Sequence, residues 1–252
     1  MGISRKRAHD KIVEIFKNCG VTGKILDAPA GTGDISKKIL DAGFEVYPAD
    51  LAPEVFQYAD VMRCERVDLN CNLPYGDEFF DYILSSNGIE HLEDQYNFVR
   101  ECYRILKPNG KILISTPNVL NLKSRVSNLL TGFHLFHTRP QNEVDDYAGG
   151  GHINVANYFD LRINLHRNGF RIISVTTHLY SKTAMFLSFL VPFVYLMTLN
   201  SFRTERNNEQ RTRNREIFRH ILSSDLLYGK KLFLLAEKDE HFLKGHTQRS
   251  AG

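Results

Sequence analysis

The sequence has few cysteines, and none of them forms a CxxC pair. We interpret Cys19, Cys64, Cys71 and Cys102 as small buried apolar residues, which is the usual place of a free cysteine. The basic N-terminal segment lacks the apolar stretch of a signal peptide. We therefore expect a protein of the reducing cytoplasm.

An excess of charge of one sign is also missing. The 32 Lys and Arg residues nearly balance 29 Asp and Glu residues, and the net charge of +3 is too small to indicate nucleic acid as a partner. The 42% hydrophobic and 24% charged content is typical of a soluble protein. A chain of 252 residues can bury a full core, so we predict one domain over residues 1–252, interrupted by two insertions.

Predicted strands and helices alternate along most of the chain. The strands are predicted at residues 24–28, 44–50, 79–86, 111–116, 171–177 and 230–238, with a further strand that ends at Asp68. The helices are predicted at residues 5–18, 34–43, 95–110 and 155–170. Such alternation is typical of βαβ units, so we expect an α/β fold with about seven strands and helices on both faces.

Two segments do not follow this alternation of strands and helices. Residues 118–151 follow a strand, and we interpret them as a lid or acceptor cap whose Asp145, Asp146 and Tyr147 either hold hydroxyl groups of a ligand or lie in a solvated loop. Residues 178–229 contain an apolar run at 184–199, broken by Pro192, and then six arginines against three glutamates. This run is short for a membrane-spanning helix. It predicts an interfacial apolar hairpin with a basic helix, a buried helical pair covering the sheet, or a dimer contact.

The first strand ends in a glycine turn that lacks the features of a phosphate site. No Gly-Lys-Ser/Thr follows, which excludes a P-loop, and Ser36 stands where the dinucleotide fingerprint has its third glycine. Asp27 would repel a pyrophosphate but suits a cationic ligand. S-adenosylmethionine, with its ammonium and sulfonium groups and no phosphate, matches such a turn. Asp50 and Asp68 end the next two predicted strands, where they suit ribose hydroxyls and an adenine amino group.

In these motifs the sequence resembles the class I S-adenosylmethionine-dependent methyltransferases, in particular their small-molecule and glycan branch. The matching segments are ILDAPAGTG (25–33), YPADL (47–51), VDLN (67–70), FFDYILSSNGIEHLED (79–94), LKPNGKILISTPN (106–118) and, more loosely, residues 152–170. The resemblance implies a Rossmann-like, doubly wound seven-stranded sheet, mostly parallel with an antiparallel last strand. It implies cofactor contacts from Asp27, Ala28, Gly31, Gly33, Asp50, Leu51, Asp68, Leu69, Ser86 and Asn87.

Methyl displacement in line with the sulfonium needs positioning and removal of a proton from the acceptor. His91 and His152 are the candidate catalytic bases, although either could instead hold a loop by hydrogen bonding. Glu90, His91 and His152 are similar to part of the metal site of RNA-terminal methyltransferases of this fold. Asn87 stands where that site has a carboxylate, so we predict no metal.

We expect O-methylation of a small-molecule, saccharide or lipid-linked acceptor, with peripheral membrane contact through residues 184–219 at the inner face of a membrane as one possibility. Residues 85–88 replace the Pro-Pro loop of amino-methylating DNA enzymes, so nucleic acid is not the predicted acceptor. Two alternatives remain: a non-catalytic S-adenosylmethionine-binding scaffold protein, or an NAD-dependent oxidoreductase, which the missing third glycine disfavours. The oligomeric state is left open.

Overall fold

The computed structural model describes residues 3–135 and 152–239. The strands are β1 (Lys24–Asp27), β2 (Glu45–Asp50), β3 (Glu65–Arg66), β4 (Phe80–Ser86), β5 (Leu106–Pro117), β6 (Phe170–Thr176) and β7 (Lys231–Lys238). The helices are α1 (Ile3–Lys17), α2 (Asp34–Asp41), α3 (Gln95–Ile105), α4 (Leu122–Thr131), α5 (Tyr158–Arg167), α6 (Lys182–Phe186), α7 (Val191–Arg203), α8 (Asn208–Ile221) and α9 (Ser224–Tyr228). Short 3₁₀ turns occupy Pro53–Val55, Ile89–His91 and Leu187–Leu190.

These strands form one seven-stranded sheet in the order β3-β2-β1-β4-β5-β7-β6. β7 runs antiparallel to both β5 and β6, whereas the other neighbouring strands are parallel. The predicted Rossmann-like fold with an antiparallel last strand is therefore confirmed. The chain leaves β1 towards β2 and later returns to β4 on the other side of β1. The carboxyl ends of these strands thus flank a topological switch point, where α/β proteins bind ligands.

The two faces of the sheet carry separate apolar clusters. Leu26 and Ile83 pack on one face with α3 and α5, and Ile25 and Leu84 pack on the other face with α1 and α2. All four side chains are fully buried. A parallel strand covered on both faces needs such a continuous apolar run, which is why β1 and β4 are recognisable in the sequence.

The structure corrects two predicted strands. β3 has only two residues and ends before Asp68, whose Oδ1 accepts hydrogen bonds from the backbone N–H of Asn70 at 2.9 Å and from the Asn70 amide at 3.2 Å. An aspartate that bonds its own turn in this way competes with strand pairing. β5 is longer than predicted and begins at Leu106, which pairs with Phe80. Helix α3 accordingly ends at Ile105 rather than at Pro108.

The cysteine interpretation is right for Cys102, which is buried on α3, and wrong for Cys71, which is exposed in the turn after β3. Cys19 and Cys64 are half-buried. A turn next to a two-residue strand has no second layer to cover it, and the side chain of Cys71 consequently faces solvent.

The two insertions differ in what they contain. The first contributes α4, while residues 136–151, with Asp145, Asp146 and Tyr147, lie outside the described residues. The second folds into α6, a 3₁₀ turn, α7, α8 and α9. The prediction of a buried helical pair is wrong, since no residue of α7 is buried. Only Ala184 of the apolar run 184–199 is buried, against Leu122 of α4 and Leu227 of α9.

Candidate functional site

A pocket of about 760 Å³ opens at the carboxyl ends of β1, β2 and β4. Its walls come from the glycine turn after β1, from the segments that follow β2, β3 and β4, from the first residue of β7 and from one side of α1. This volume lies in the range of small-molecule and cofactor sites. The predicted residues that line it are Gly31, Asp50, Leu51, Asp68, Leu69, Ser86, Asn87 and His91.

The glycine turn is held in shape by the neighbouring strand. The backbone N–H of Gly31 donates to Asp50 Oδ2 at 2.7 Å, and Gly31 has a φ of 53°. A Cβ at this residue would meet no atom within 4 Å, so Gly31 leaves open space in the wall of the pocket. Gly33, with a φ of 82°, faces the other way, because a Cβ there would lie 2.5 Å from the ring of Phe56. Gly33 is therefore needed for packing of the turn and does not line the pocket.

Asp27 lies behind this turn, not in the wall of the pocket. Its Oδ2 accepts a hydrogen bond from Ser36 Oγ at 2.5 Å, whereas its Oδ1 is buried and has no hydrogen-bond partner among residues 3–135 and 152–239. Burial, opposed by the hydrogen bond from Ser36 and assisted by the nearby Asp50, raises the pKa of the Asp27 carboxyl to about 7. A cation bound in front of the turn would relieve this cost of burying a carboxylate. Ala28 is also buried behind the turn.

Asp50 and Asp68 lie at the part of the pocket beyond the turn. Asp50 Oδ1 accepts a hydrogen bond from the backbone N–H of Ala52 at 2.9 Å, so its carboxylate is oriented by one backbone N–H at each oxygen. Each carboxylate oxygen has a second lone pair, which leaves Asp50 able to accept two ligand hydroxyls. Asp68 is exposed towards the pocket, and Leu51 and Leu69 beside the two carboxylates supply apolar surface.

The loop after β4 is fixed by β5 and by β7. Ser86 Oγ is 3.1 Å from Ser115 Oγ, and the backbone N–H of Asn87 donates to the carbonyl of Ser115 at 2.8 Å. Asn87 has a φ of 52°, in the left-handed region that asparagine tolerates. Its Oδ1 accepts a hydrogen bond from Lys231 Nζ at 2.6 Å. Lys231 therefore brings a cation into the pocket directly beside Asn87.

The two candidate bases, His91 and His152, lie in contact with each other. The two rings have centroids 5.0 Å apart in an edge-to-face arrangement. The contact forms because the backbone N–H of Asn154 donates to the carbonyl of Glu90 at 3.1 Å, which ties the segment after residue 152 to the loop after β4. His91 lines the pocket, and His152 lies behind it.

Glu90 lies next to this histidine pair, and potential ligand atoms of Glu90, His91 and His152 lie within 4.8 Å of one another. Glu90 is fully buried. Its Oε2 accepts a hydrogen bond from Thr116 Oγ1 at 3.1 Å, and its Oε1 has no hydrogen-bond partner in the part of the chain that the structure describes. Burial raises the pKa of the Glu90 carboxyl, against the opposing effects of its hydrogen bonds and of His91 and Lys231. A carboxyl with this environment holds its proton more readily than an exposed one.

Helix α1 and Lys231 contribute pocket residues that the sequence analysis missed. Arg5 donates to Thr32 Oγ1 at 3.0 Å and lies 3.3 Å from Asp34, so α1 is fastened to the glycine turn. His9 on the same helix is buried, and burial together with Arg5 lowers its pKa to about 4. His9 could have been found in the sequence, because it lies beside apolar positions of an amphipathic helix. No feature of the sequence indicated Lys231, because it lies more than 140 residues from the loop that it contacts.

The residues present fit S-adenosylmethionine. Asp27 Oδ1 is a buried acceptor without a donor, the space in front of Gly31 is open, and Asp50 and Asp68 offer carboxylates for hydroxyl and amino groups. No Gly-Lys-Ser/Thr follows the turn.

Comparison with known proteins agrees with this assignment. The family model described as "Methyltransferase domain" matches residues 26–114. A probable S-adenosylmethionine-dependent methyltransferase of Mycolicibacterium smegmatis is 30% identical over 143 residues, which are 55% of this chain and 54% of that protein. The ubiquinone/menaquinone biosynthesis C-methyltransferase UbiE of Pectobacterium atrosepticum is 32% identical over 103 residues, 36% of this chain and 41% of that protein.

The chain thus spans about half the length of the curated relatives that it matches. Among solved structures, an S-adenosylmethionine-dependent methyltransferase from Archaeoglobus fulgidus superimposes with a TM-score of 0.60 at 17% identity, over 93% of this chain and 95% of that one. At this identity the likeness concerns the fold.

Proposed function

We propose that the chain is a class I S-adenosylmethionine-dependent methyltransferase with its methyltransferase domain at residues 26–114, and that it methylates an oxygen atom of a small-molecule, saccharide or lipid-linked acceptor. The observation that carries the proposal is the histidine pair beside the pocket. A hydroxyl group must lose its proton to become the nucleophile, and an imidazole titrates close to neutral pH. His91 lines the pocket at the side where Ser86 and Asn87 follow β4.

Each part of the pocket has a separate role in this proposal. Asp50 and Asp68 bind the ribose and adenine groups, and the turn at Gly31, with Asp27 behind it, holds the amino-acid end of the cofactor. Bound S-adenosylmethionine supplies an electrophilic methyl group with a good leaving group. The chain's own contribution is to orient the acceptor oxygen and to accept its proton at a ring nitrogen of His91, with His152 supporting that ring.

The acceptor side of the pocket carries positive charge. Lys231 lies beside Asn87 and has no carboxylate bonded to its Nζ within the described ranges. Burial lowers the pKa of Lys231, with Arg5 acting in the same direction and Glu90 opposing it. A cation placed there stabilises the negative charge that develops on a hydroxyl as its proton leaves.

Methylation of a carbon atom is the second candidate. It is favoured by the relative named as a ubiquinone/menaquinone C-methyltransferase. An aromatic carbon acceptor also loses a proton, so the same histidine pair could serve it. The two candidates differ in the atom that receives the methyl group, which can be measured directly.

The test supplies the protein with S-adenosylmethionine labelled with ¹³C in its methyl group, together with a panel of sugars, glycolipids and quinols. The ¹³C chemical shift of the product distinguishes an O-methyl group from a C-methyl group. We expect an O-methyl signal that disappears when Asp50→Ala replaces the wild type. A C-methyl product would replace the proposal by the second candidate, and no labelled product from any acceptor would contradict methyl transfer to all of them.

The role of His91 has its own test. We expect His91→Ala to lower kcat by about 100-fold while the affinity for S-adenosylhomocysteine stays unchanged, as for loss of a general base. Added imidazole should restore part of the rate. A merely structural role would predict no rescue, and an unchanged kcat would remove His91 as the base.

A further inference from the structure

We propose that the α6–α8 region is a peripheral membrane-binding surface for anionic lipids, with apolar side chains of α6 and α7 in the lipid and arginines of α7 and α8 on the phosphate groups. We call residues 182–219 the helical arm. This inference does not depend on the proposed reaction, because it concerns a surface of the described residues that the pocket does not use.

The first observation is the exposure of apolar side chains on the helical arm. Residues Lys182–Arg203 form a helical run of 22 residues, and its most apolar 18-residue window has a mean hydropathy of 1.7 and no buried residue. Phe186 is 79% exposed, Phe193 66% and Met197 70%. Leu129 of the adjacent α4 is 83% exposed, and it lines a shallow groove together with Phe193 and Met197. Side chains scattered singly need no explanation, but a contiguous surface of this kind marks an interaction site.

The second observation is the charge beside this surface. A groove of about 600 Å³ between α7 and α8 has Leu199, Phe202 and Phe218 among its lining residues. The arginines that line it are Arg203, Arg211, Arg215 and Arg219.

The three arginines of α8 lie at intervals of four residues and thus on one face of that helix. All four arginines are exposed, and none has a carboxylate partner among residues 3–135 and 152–239. An apolar groove rimmed by unpaired arginines is complementary to an amphipathic anion.

Within the described ranges, none of the three glutamates of the helical arm forms an ion pair with these four arginines. Glu216 is paired with Arg162 of α5 at 2.8 Å and Glu209 with Arg213 at 3.0 Å, while Glu205 Oε1 accepts a hydrogen bond from the backbone N–H of Asn207 at 2.8 Å. From Lys182 to Arg203 the sequence contains no acidic residue. Lysines and arginines at the border of an apolar helix are the pattern of segments that lie in the membrane interface and bind anionic lipids.

The helical arm lies on the domain and does not stand free of it. Leu187, Leu190 and Val194 pack against the small cluster of Leu122, Ala184 and Leu227, and the rings of Tyr195 and Phe218 join α7 to α8 with centroids 5.3 Å apart. Because one side of the run is attached to the protein, lipid can surround only its outer side. The run therefore fits an interfacial position, although its length and composition would suffice for a span.

The helical arm begins at the same edge of the sheet as the opening of the pocket. β6 ends at Thr176, β5 ends at Pro117, and both are parallel to β1 and β4, so α4 and α6 begin at the edge of the sheet where the pocket opens. A membrane bound to the arm would lie at that edge.

The experiment is flotation of the whole chain, without cofactor, with vesicles of phosphatidylcholine containing about one third phosphatidylglycerol. We expect the protein to float with these vesicles at about 0.1 M salt, and much less at about 0.5 M salt, where charges are screened within a few ångströms. Vesicles of phosphatidylcholine alone should bind far less. The variant Arg211→Gln/Arg215→Gln/Arg219→Gln should weaken partitioning about 100-fold, which corresponds to about 1 kcal/mol for each arginine.

Two matched control variants separate this surface from general effects. Lys17→Gln/Arg63→Gln/Arg100→Gln removes the same charge from exposed positions elsewhere and should float as the wild type does. Phe186→Gln/Phe189→Gln/Leu196→Gln should reduce flotation at least tenfold, whereas Val21→Gln/Val61→Gln/Ile163→Gln, also exposed, should not.

Three results would overturn the proposal. The first is absence of flotation with anionic vesicles, or equal flotation of the arginine variant and its control. The second is a dimer in sedimentation that Phe186→Gln/Phe189→Gln/Leu196→Gln converts to a monomer without any vesicle binding, which would make the surface a contact between two copies. The third is resistance of the vesicle-bound protein to carbonate extraction, which would indicate a spanning helix.

Discussion

β4 and α7 are both apolar, yet their side chains have opposite environments. In β4 the consecutive residues Tyr82, Ile83 and Leu84 are buried between layers of helices, whereas in α7 the residues Phe193, Leu196 and Met197 face outwards. The apolar content of a segment thus does not show whether its side chains are buried in the protein core or form an exposed interaction surface. The residues that follow distinguish the two segments. The loop after β4 lines the pocket, whereas arginines follow the apolar part of α7.

The largest expected effect separates the two regions by stability. We expect Ile83→Ala to lower the free energy of unfolding by about 3 kcal/mol, because it leaves a cavity in a fully buried cluster. Leu196→Ala should change it by less than about 0.5 kcal/mol, since that side chain is 60% exposed. Urea denaturation of both variants measures the difference. Equal destabilisation by the two would mean that α7 is covered by protein.

The next largest effect is expected on ligand binding at the carboxyl ends of the strands. Asp50→Ala should lower the affinity for S-adenosylhomocysteine by about 100-fold. The substitution removes two oriented acceptors for ligand hydroxyls and the acceptor of the Gly31 N–H. Titration calorimetry measures this loss. Asp60→Ala, at an exposed position outside the pocket, is the matched control and should bind as the wild type does. Unchanged affinity of Asp50→Ala would show that the ribose assignment is wrong.

A smaller effect follows from Asp27. Its pKa is raised from 3.8 to about 7, so the free protein carries this carboxyl largely protonated below that pH. A cationic ligand favours the ionised form and lowers the pKa in the complex, and binding therefore releases a proton. For a drop of one pKa unit, the affinity for S-adenosylhomocysteine should rise about sixfold between about pH 5.5 and about pH 7.5 and change little above that.

Asp27→Asn should remove this part of the pH dependence. His9 does not obscure it, because its pKa of about 4 lies below the range of the titration. The same raised pKa makes the ionised carboxyl a cost to the free fold, so the stability of the wild type relative to Asp27→Asn should fall as the pH rises from about 4 to about 7. A pH-independent difference between the two proteins would contradict the assigned pKa.

The parts of the site that sequence reasoning reaches are those within one βα unit. Asp50 ends β2, while Gly31 and Asn87 lie in the turns after β1 and β4, and parallel strands bring their carboxyl ends to one edge. Lys231 could not be found in this way, because its place beside Asn87 depends on β7 entering the sheet antiparallel. The sequence also does not show which side of a turn a residue faces. Gly31 faces the open space of the pocket, but Gly33 packs on Phe56.

The sequence did not show the length of β3, and it left open whether the apolar run at 184–199 is buried or exposed, for a related reason. Asp68 satisfies its own turn, and this local competition shortens a strand that its sequence pattern extends. In α7 the apolar pattern is the same on a buried and on a lipid-facing helix, so only the packing of its neighbours decides between them.

Calorimetric titration of the wild type with S-adenosylhomocysteine and, separately, with NAD tests the central claim most directly. The carboxylates of Asp27 and Asp50 at the ends of β1 and β2, that of Asp68 in the turn after β3, and the lack of a Gly-Lys-Ser/Thr after the glycine turn predict binding of one S-adenosylhomocysteine per chain and no measurable binding of NAD. Binding of NAD alone would contradict the account.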